Sequence, residues 1–142
     1  MSVRKGDRGE SELEVLNKMR ELAEYTINTV RNEKNFPKAQ RWILSQKIAN
    51  ECLDAMISIR AANSVWVTSE EDYKYRRKLQ TEAHAHLGAL LSLIDLAYLT
   101  LQLDCRKVEH WTRLVSATDD KLKAWMKAEK QRYKNGFEII SR

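Results

Sequence analysis

Residues 83–101 read AHAHLGALLSLIDLAYLTL, and this stretch decides the fold class of the chain. Its apolar residues recur at intervals of four, three, four, three and four, which is the spacing of one face of an α-helix. The residues on this face are Ala83, Leu87, Leu90, Ile94, Ala97 and Leu101. Upstream, Thr68 or Ser69 is suited to the N-cap position, and three acidic residues follow in the first turn. We therefore predict one long helix that ends at about Leu103.

The same periodicity predicts three further helices. The first extends from about Ser11, which is suited to the N-cap position, to Asn32. The second extends from about Pro37 to Val65, because proline is favoured in the first turn of a helix. The fourth follows a tight turn at residues 104–107 and extends from about Val108 towards Lys134.

Four helices of similar length with short connections favour an antiparallel up-down-up-down four-helix bundle. The predicted fold class is all-α, since no stretch of useful length alternates as a strand does. We divide the chain into a flexible N-terminal tail at residues 1–10, the bundle at residues 11–134 and a C-terminal tail at residues 135–142. Gly136 is placed to end the last helix.

The composition is that of a folded, water-soluble protein, with 43% hydrophobic and 32% charged residues and a single proline. Two cysteines are too few for a disulfide scaffold, which favours a reducing, cytoplasmic setting. The polar N-terminus lacks the apolar segment of a signal peptide. The most apolar segment, residues 87–103, is interrupted by Asp95, so we expect a buried helix and no membrane partner.

Residues that carry chemistry form no recognisable catalytic or metal-binding motif. His84 and His86 are two positions apart, so on a helix they lie on different faces, whereas helical metal ligands are three or four apart. Cys52 lies on an apolar face and is expected to be buried. Cys105 stands beside two basic residues that would activate a thiol, but no ordered set of partners accompanies it. We predict no enzyme, metal or cofactor, with an enzyme built on Cys105 as the less favoured alternative.

Positive charge is concentrated at the start of the second helix, the start of the third and the end of the fourth. The net charge is +5 and the isoelectric point about 9.2. In an up-down bundle the second and third of these sets meet at one end, where they would attract phosphates in a salt-dependent way. A solvated helix end explains the same lysines without any ligand. The candidate nucleic-acid contacts are Lys38, Arg41, Lys47, Arg76, Arg77, Lys78, Lys123, Lys127 and Lys130.

Four tryptophans are many for a chain of this length. Trp111 and Trp125 fall on the apolar face of the fourth helix and are expected in the core. Trp42 falls off the apolar face of the second helix, and Trp66 lies in a predicted loop. Because aromatic residues are enriched at protein interfaces, we predict that Trp42 and Trp66 are interface residues.

Three segments carry a family resemblance. They are FPKxxRxxLxQKI from Phe36 to Ile48, the leucine-rich run from Leu90 to Tyr98, and LxxWxK from Leu122 to Lys127. Together they resemble the accessory variability determinant (Avd-like) four-helix bundle proteins of diversity-generating retroelements, over about residues 15–128. Bundle proteins encoded in ribosomal-RNA intervening sequences share the Phe-Pro opening and are the alternative family.

The resemblance implies a specific role. Avd-like proteins are ring-shaped homopentamers that bind the retroelement's reverse transcriptase and nucleic acid, including template RNA or cDNA, and support mutagenic reverse transcription without supplying chemistry. A basic bundle suits this role, since phosphate contacts require lysines and arginines on a stable scaffold. The alternative function is a structural oligomer or protein-interaction module that does not bind nucleic acid.

Overall fold

The computed structural model of the chain describes residues 2–134, with side chains from Ser11 onward. Its four α-helices are α1 at Ser2–Arg31, α2 at Gln46–Ser64, α3 at Glu70–Leu101 and α4 at Cys105–Arg132. A 3-10 turn at Lys38–Gln40 and a π-helical turn at Arg41–Ser45 precede α2. Residues 2–134 contain no β-strand, which confirms the predicted all-α fold class.

The heptad-spaced residues form one hydrophobic core. In α2 the apolar residues three or four positions apart predict an inner row that is buried throughout, namely Leu44, Ile48, Cys52, Ala55, Ile59 and Ala62. The predicted face of α3 is buried from Ala83 to Ala97, and the same spacing in α4 selects a buried row of Trp111, Val115, Thr118, Leu122 and Trp125. In α1 the spacing predicts an inner row of Leu16, Met19, Ala23, Ile27 and Val30, of which Met19, Ala23 and Val30 are buried. The structure also buries four residues of α1 outside that row, namely Val15, Leu22, Thr26 and Thr29.

Polar contacts join α1 to α4 at two places along the helices. Lys121 Nζ binds Glu14 Oε2 at 2.8 Å, and this contact with the Glu14 carboxylate raises the pKa of Lys121 above its ordinary value. Near the other end, the Tyr25 hydroxyl donates to the backbone oxygen of Lys107 at 3.3 Å. α1 and α4 are therefore packed against each other.

Two predicted helix starts are wrong. α1 is already helical from Ser2, so Ser11 lies inside the helix; extending a helix is far easier than nucleating one, and no proline interrupts residues 2–10. α4 begins at Cys105, inside the tight turn predicted at residues 104–107, because the Asp104 side chain caps the helix by accepting from the Arg106 N–H at 3.0 Å. The flexibility of residues 1–10 stays a prediction, and the tail at residues 135–142 with Gly136 lies outside the described residues.

The segment before α2 is wound differently from the regular helix predicted from Pro37 onward. Pro37 precedes the 3-10 turn, and the Gln46 N–H donates to the Arg41 carbonyl across the wider π turn. Phe36 and Leu44, on either side of this irregular winding, are both buried. A hydrophobic pattern reports only the average periodicity, so it does not distinguish tight turns from wide ones.

The start of α3 matches its predicted capping. Ser69 is the N-cap residue, and its hydroxyl oxygen accepts from the Asp72 N–H at 3.2 Å. The Asp72 carboxylate in turn accepts from the backbone N–H of Thr68 at 3.1 Å. This hydrogen bond from Thr68 lowers the pKa of Asp72. The reciprocal arrangement satisfies two backbone donors at the helix end.

The C-terminal half of α3 also carries apolar residues on its outer side. Among the described residues, α3 alone is long and apolar enough to cross a membrane, by length and composition only. Just 22% of its most apolar stretch is buried, so the expectation of a buried helix holds for its inner face alone. Outside that face, Leu96 and Leu99 are exposed. Both are apolar residues that the heptad does not use.

Candidate nucleic-acid interface

The bundle has two ends that carry basic residues. We call the end where α2 stops, α3 begins and α4 stops the Arg76 end. The opposite end, where residues 36–47 lead into α2, is the Trp42 end. α2 has 19 residues, so at 1.5 Å per residue its two termini are about 28 Å apart.

The start of α3 and the end of α4 lie side by side at the Arg76 end. Arg77 Nη1 donates to the backbone oxygen of Met126 at 3.2 Å. The rings of Tyr73 and Tyr133 lie 5.3 Å apart, centroid to centroid. The guanidinium of Arg77 also lies 6.0 Å from the centre of the Tyr73 ring. The two predicted basic sets therefore meet, as the sequence predicted.

Most of the predicted residues at this end face solvent. Lys78 is exposed on α3, and Lys123, Lys127 and Lys130 are exposed in one row on α4. Lys123 is the member of the row with an acidic partner, Asp119, at 3.3 Å. We define the α3–α4 basic surface by five residues: Arg77, Lys78, Lys123, Lys127 and Lys130.

Arg76 is a correction to the predicted set, because it is only 6% exposed. Its guanidinium forms an ion pair with the fully buried carboxylate of Glu129 and donates to the backbone oxygen of Val65. The same guanidinium lies over the Trp125 ring, 5.8 Å from its centre. Gln80 Nε2 donates to the second oxygen of Glu129 at 3.2 Å. We call this group the Arg76 network, and it joins α2, α3 and α4 rather than contacting a ligand.

The network was missed although the sequence contained a signal for it. Glu129 lies four residues after Trp125, so it continues the heptad spacing of α4 into the core. Within the basic run at the end of α4, the sequence predicts an exposed Glu129, because charged residues are almost never fully buried unless they are paired. Its partner, Arg76, lies 53 residues away, and spacing within one helix carries no information about such a pair.

The other predicted set, Lys38, Arg41 and Lys47, lies at the Trp42 end and is exposed. Lys38 is 3.7 Å from Glu33 in an ion pair between two well-exposed side chains, which contributes little stability. Arg41 begins the π-helical turn. This set is therefore separate from the α3–α4 basic surface and does not extend it.

The two tryptophans predicted at interfaces are both open to solvent. Trp42 is 70% exposed in the π-helical turn, and Trp66 is 83% exposed in the loop between α2 and α3. They lie at opposite ends of α2. Whether either contacts a partner stays a prediction.

The histidines and cysteines have ordinary environments. His84 Nδ1 lies 2.7 Å from Asp119 on α4, and His86 Nδ1 lies 2.8 Å from Glu51 on α2, which confirms that the two histidines occupy different faces. Burial raises the pKa of the Cys52 thiol to about 11. Within residues 11–134 no three His, Cys, Asp or Glu side chains are grouped so that they could hold a metal ion.

Cys105, the thiol of the alternative enzyme hypothesis, is exposed at the start of α4. The contact that it makes is a side-chain hydrogen bond with Tyr98, which raises the pKa of the tyrosine hydroxyl. A tyrosine hydroxyl with a raised pKa is a poor general base at neutral pH. The surroundings of Cys105 therefore add nothing to the enzyme hypothesis.

The comparisons with known proteins add no relative to these observations. No family model, curated protein or solved structure matches the chain.

Proposed function

We propose that the chain is a non-catalytic accessory protein of a diversity-generating retroelement, which binds nucleic acid through the α3–α4 basic surface. The observation that carries this proposal is the row of exposed lysines on α4 beside Arg77 and Lys78 of α3. Aligned cations on rigid helices suit a phosphate backbone, because phosphate contacts position a protein without reading sequence. The resemblance of residues 15–128 to Avd-like proteins supplies the biological setting, with reverse transcriptase and template RNA or cDNA as partners.

As the scaffold for this surface we propose an antiparallel up-down-up-down bundle. The contacts of α1 with α4 support it, since Glu14 pairs with Lys121 while Tyr25 pairs with Lys107. In the same way Arg76 meets Glu129, whereas His84, which comes later in α3, meets Asp119, which comes earlier in α4. In each helix pair, residue numbers rise in one helix as they fall in the other, which is the pattern of antiparallel neighbours.

We also propose that the chain self-associates, as the homopentamer of the resembling family implies. The outer side of α3 supports this, because Leu99 is 68% exposed and Leu96 is exposed one turn before it. Exposed apolar residues that cluster mark association surfaces more often than scattered ones do. Self-association would repeat the basic surface around a ring and raise the avidity for a long polyanion.

A triple charge reversal tests nucleic-acid binding. The variant carries Lys78→Glu, Lys127→Glu and Lys130→Glu, all exposed positions at which the fold should tolerate the change. Each lost phosphate contact lowers the salt slope of binding by about one, so the triple variant should lose about three. The measurement is fluorescence anisotropy of a labelled single-stranded RNA across a salt series, with circular dichroism to verify folding.

The matched control reverses three exposed arginines outside both basic sets, Arg20, Arg60 and Arg106. It changes the net charge by the same amount, so it separates a defined surface from the general effect of charge. Equal losses in the two variants would reject the α3–α4 basic surface. Absence of RNA binding by the wild-type chain would reject the proposed function itself.

The second candidate is a structural oligomer or protein-interaction module without a nucleic-acid role. The exposed leucines of α3 favour it, because they require only a protein partner. Native mass spectrometry combined with an RNA shift assay separates the candidates. An oligomer that does not bind RNA supports this alternative. An oligomer that binds RNA and co-purifies with the reverse transcriptase supports the accessory role.

A further inference from the structure

Trp42 occupies an open groove at the Trp42 end. The groove measures about 420 Å³, within the range of ligand clefts, and lies between the end of α1 and the start of α2. Phe36 and Pro37 contribute apolar surface to its lining. Arg31 and Arg41 belong to the same lining. We call this feature the Trp42 groove.

Local winding accounts for the exposure of the indole. Trp42 lies in the π-helical turn Arg41–Ser45, whose buried residue is Leu44. With Leu44 directed into the core, Trp42 is 70% exposed and offers ring surface to solvent. Single π turns frequently occur at functional sites, because they change the direction of one or two side chains within an otherwise regular helix.

The chemistry of the lining selects the kind of ligand. Arg31, Lys38 and Arg41 line the groove with one acid, Glu33, so the cations outnumber the acids three to one. An aromatic ring beside guanidinium and ammonium groups is the combination by which proteins hold single-stranded nucleic acid. The base stacks on the ring, while the cations contact the flanking phosphates.

The same lining argues against a protein partner at this place. Lysine and glutamate are depleted from protein interfaces, and both Lys38 and Glu33 line the groove. The outer side of α3, with Leu96 and Leu99, has that apolar character, whereas the Trp42 groove is rimmed by cations. A protein partner at this place would have to desolvate Arg31, Lys38 and Arg41.

We propose that the Trp42 groove holds one unpaired base of a single-stranded nucleic acid, stacked on the indole of Trp42, with Arg41 and Lys38 on the adjacent phosphates. This inference rests on the nucleic-acid binding proposed above and adds to it a second contact site, at the opposite end of the bundle from Arg77 and Lys78. The first site reads only backbone charge, and the second requires a base.

Two probes of equal charge separate the two kinds of contact. One is a single-stranded RNA oligonucleotide, and the other is an abasic oligonucleotide of the same length. Trp42→Ala should weaken binding of the RNA about tenfold, as expected for the loss of one stacked base. Binding of the abasic oligonucleotide should stay unchanged, and Trp42→Phe should retain most of the affinity for RNA. The control is Trp66→Ala, which removes the other exposed tryptophan.

Fluorescence adds a direct readout of stacking. In a Trp66→Phe chain, Trp42 is the one exposed tryptophan, because Trp111 and Trp125 are buried. The RNA should quench its emission, and the abasic oligonucleotide should not.

Equal weakening of both probes by Trp42→Ala would overturn the inference, and so would an unchanged RNA affinity. A variant that binds RNA normally but has a smaller native mass would instead show that Trp42 is a subunit contact. If the wild-type chain binds neither probe, the proposed function fails as well. Weaker binding that is seen only with Trp42→Ala, and only for the RNA, supports both the inference and the proposed function.

Discussion

Each end of the bundle buries one tryptophan of α4, and the two are held by different chemistry. Trp111, towards the Trp42 end, donates its indole N–H to Thr26 Oγ1 at 2.9 Å and meets the Phe36 ring edge-on at 6.2 Å. Trp125, at the Arg76 end, lies under the guanidinium of Arg76. Among the described residues, its indole nitrogen has no hydrogen-bond partner.

The difference indicates how each end is specified. The groups around Trp111 are neutral. Removal of one of these contacts should lower the free energy of unfolding only modestly, because no unpaired charge is left in the core. The Arg76 network contains a buried ion pair, and removal of one partner leaves an uncompensated charge in the core. We therefore expect the ion pair to favour one arrangement of α3 against α4 at the Arg76 end, where Arg77 lies beside Met126.

The largest expected effect comes from breaking the ion pair while its shape is preserved. Glu129→Gln keeps the volume of the side chain but removes the charge opposite Arg76. We expect the free energy of unfolding to fall by about 3–5 kcal/mol, the usual result of leaving a buried charge unpaired. Urea denaturation followed by circular dichroism at 222 nm, the usual helix band, measures this change. A matched exposed variant, Lys130→Gln, should alter the unfolding free energy by less than about 0.5 kcal/mol.

A double variant distinguishes pairing from packing. Arg76→Met with Glu129→Leu removes both charges and keeps an apolar filling, so stability should return to near that of the wild type. If Glu129→Gln alone were as stable as the wild type, the contrast between the two ends would not depend on charge. If the double variant were less stable than both the wild type and Glu129→Gln, the hydrogen bonds of Gln80 and of the Val65 oxygen to this pair would be the main source of stability.

Periodicity predicted the helices and their inner faces because burial repeats with the helix turn. In α2 and α4 nearly every heptad position proved buried, including the polar Thr118. The same reasoning could not place Arg76, because whether a charge is buried depends on a partner from another helix. It also left the outer leucines of α3 unexplained, since a heptad identifies the face towards the core but does not describe the opposite face.

The candidate site could be predicted in part for the same reason. Lys123, Lys127 and Lys130 share an exposed face because their spacing follows the helix, and the chain order alone placed them near the start of α3. The Trp42 groove depends on a π turn that average periodicity does not report. Trp42 and Arg41 were therefore identified as separate candidates, and only the fold places them in one groove.

An intermediate effect is expected at the Trp42 end. Thr26→Val removes the oxygen that accepts the indole N–H of Trp111 and leaves that buried donor unpaired. The free energy of unfolding should fall by about 1–3 kcal/mol, less than for Glu129→Gln, because the stranded group is neutral. Thr112→Val, whose hydroxyl bonds within its own helix at an exposed site, is the control and should cost less than about 0.5 kcal/mol. A larger loss for Thr26→Val than for Glu129→Gln would reverse the comparison.

The smallest effect should come from Asp72, which lies at the Arg76 end but outside its buried network. Hydrogen bonds from Thr68 hold the pKa of this carboxyl below its ordinary value of 3.8, so the folded state favours the charged form. Its contribution is therefore complete above that value and disappears as the pH falls through the lowered pKa. Asp72→Asn should lower the urea midpoint slightly at pH 7, and the gap from the wild type should close in acid. The control is Glu71→Gln, which removes a charge from the same helical turn but no contact with Thr68. If it changed the urea midpoint with the same pH dependence, the effect would come from the helix dipole and not from the contact of Asp72 with Thr68. Water screens the charge of Asp72 but is excluded from Glu129. Removal of these two carboxylates, at the same end of the bundle, should therefore lower the free energy of unfolding by very different amounts.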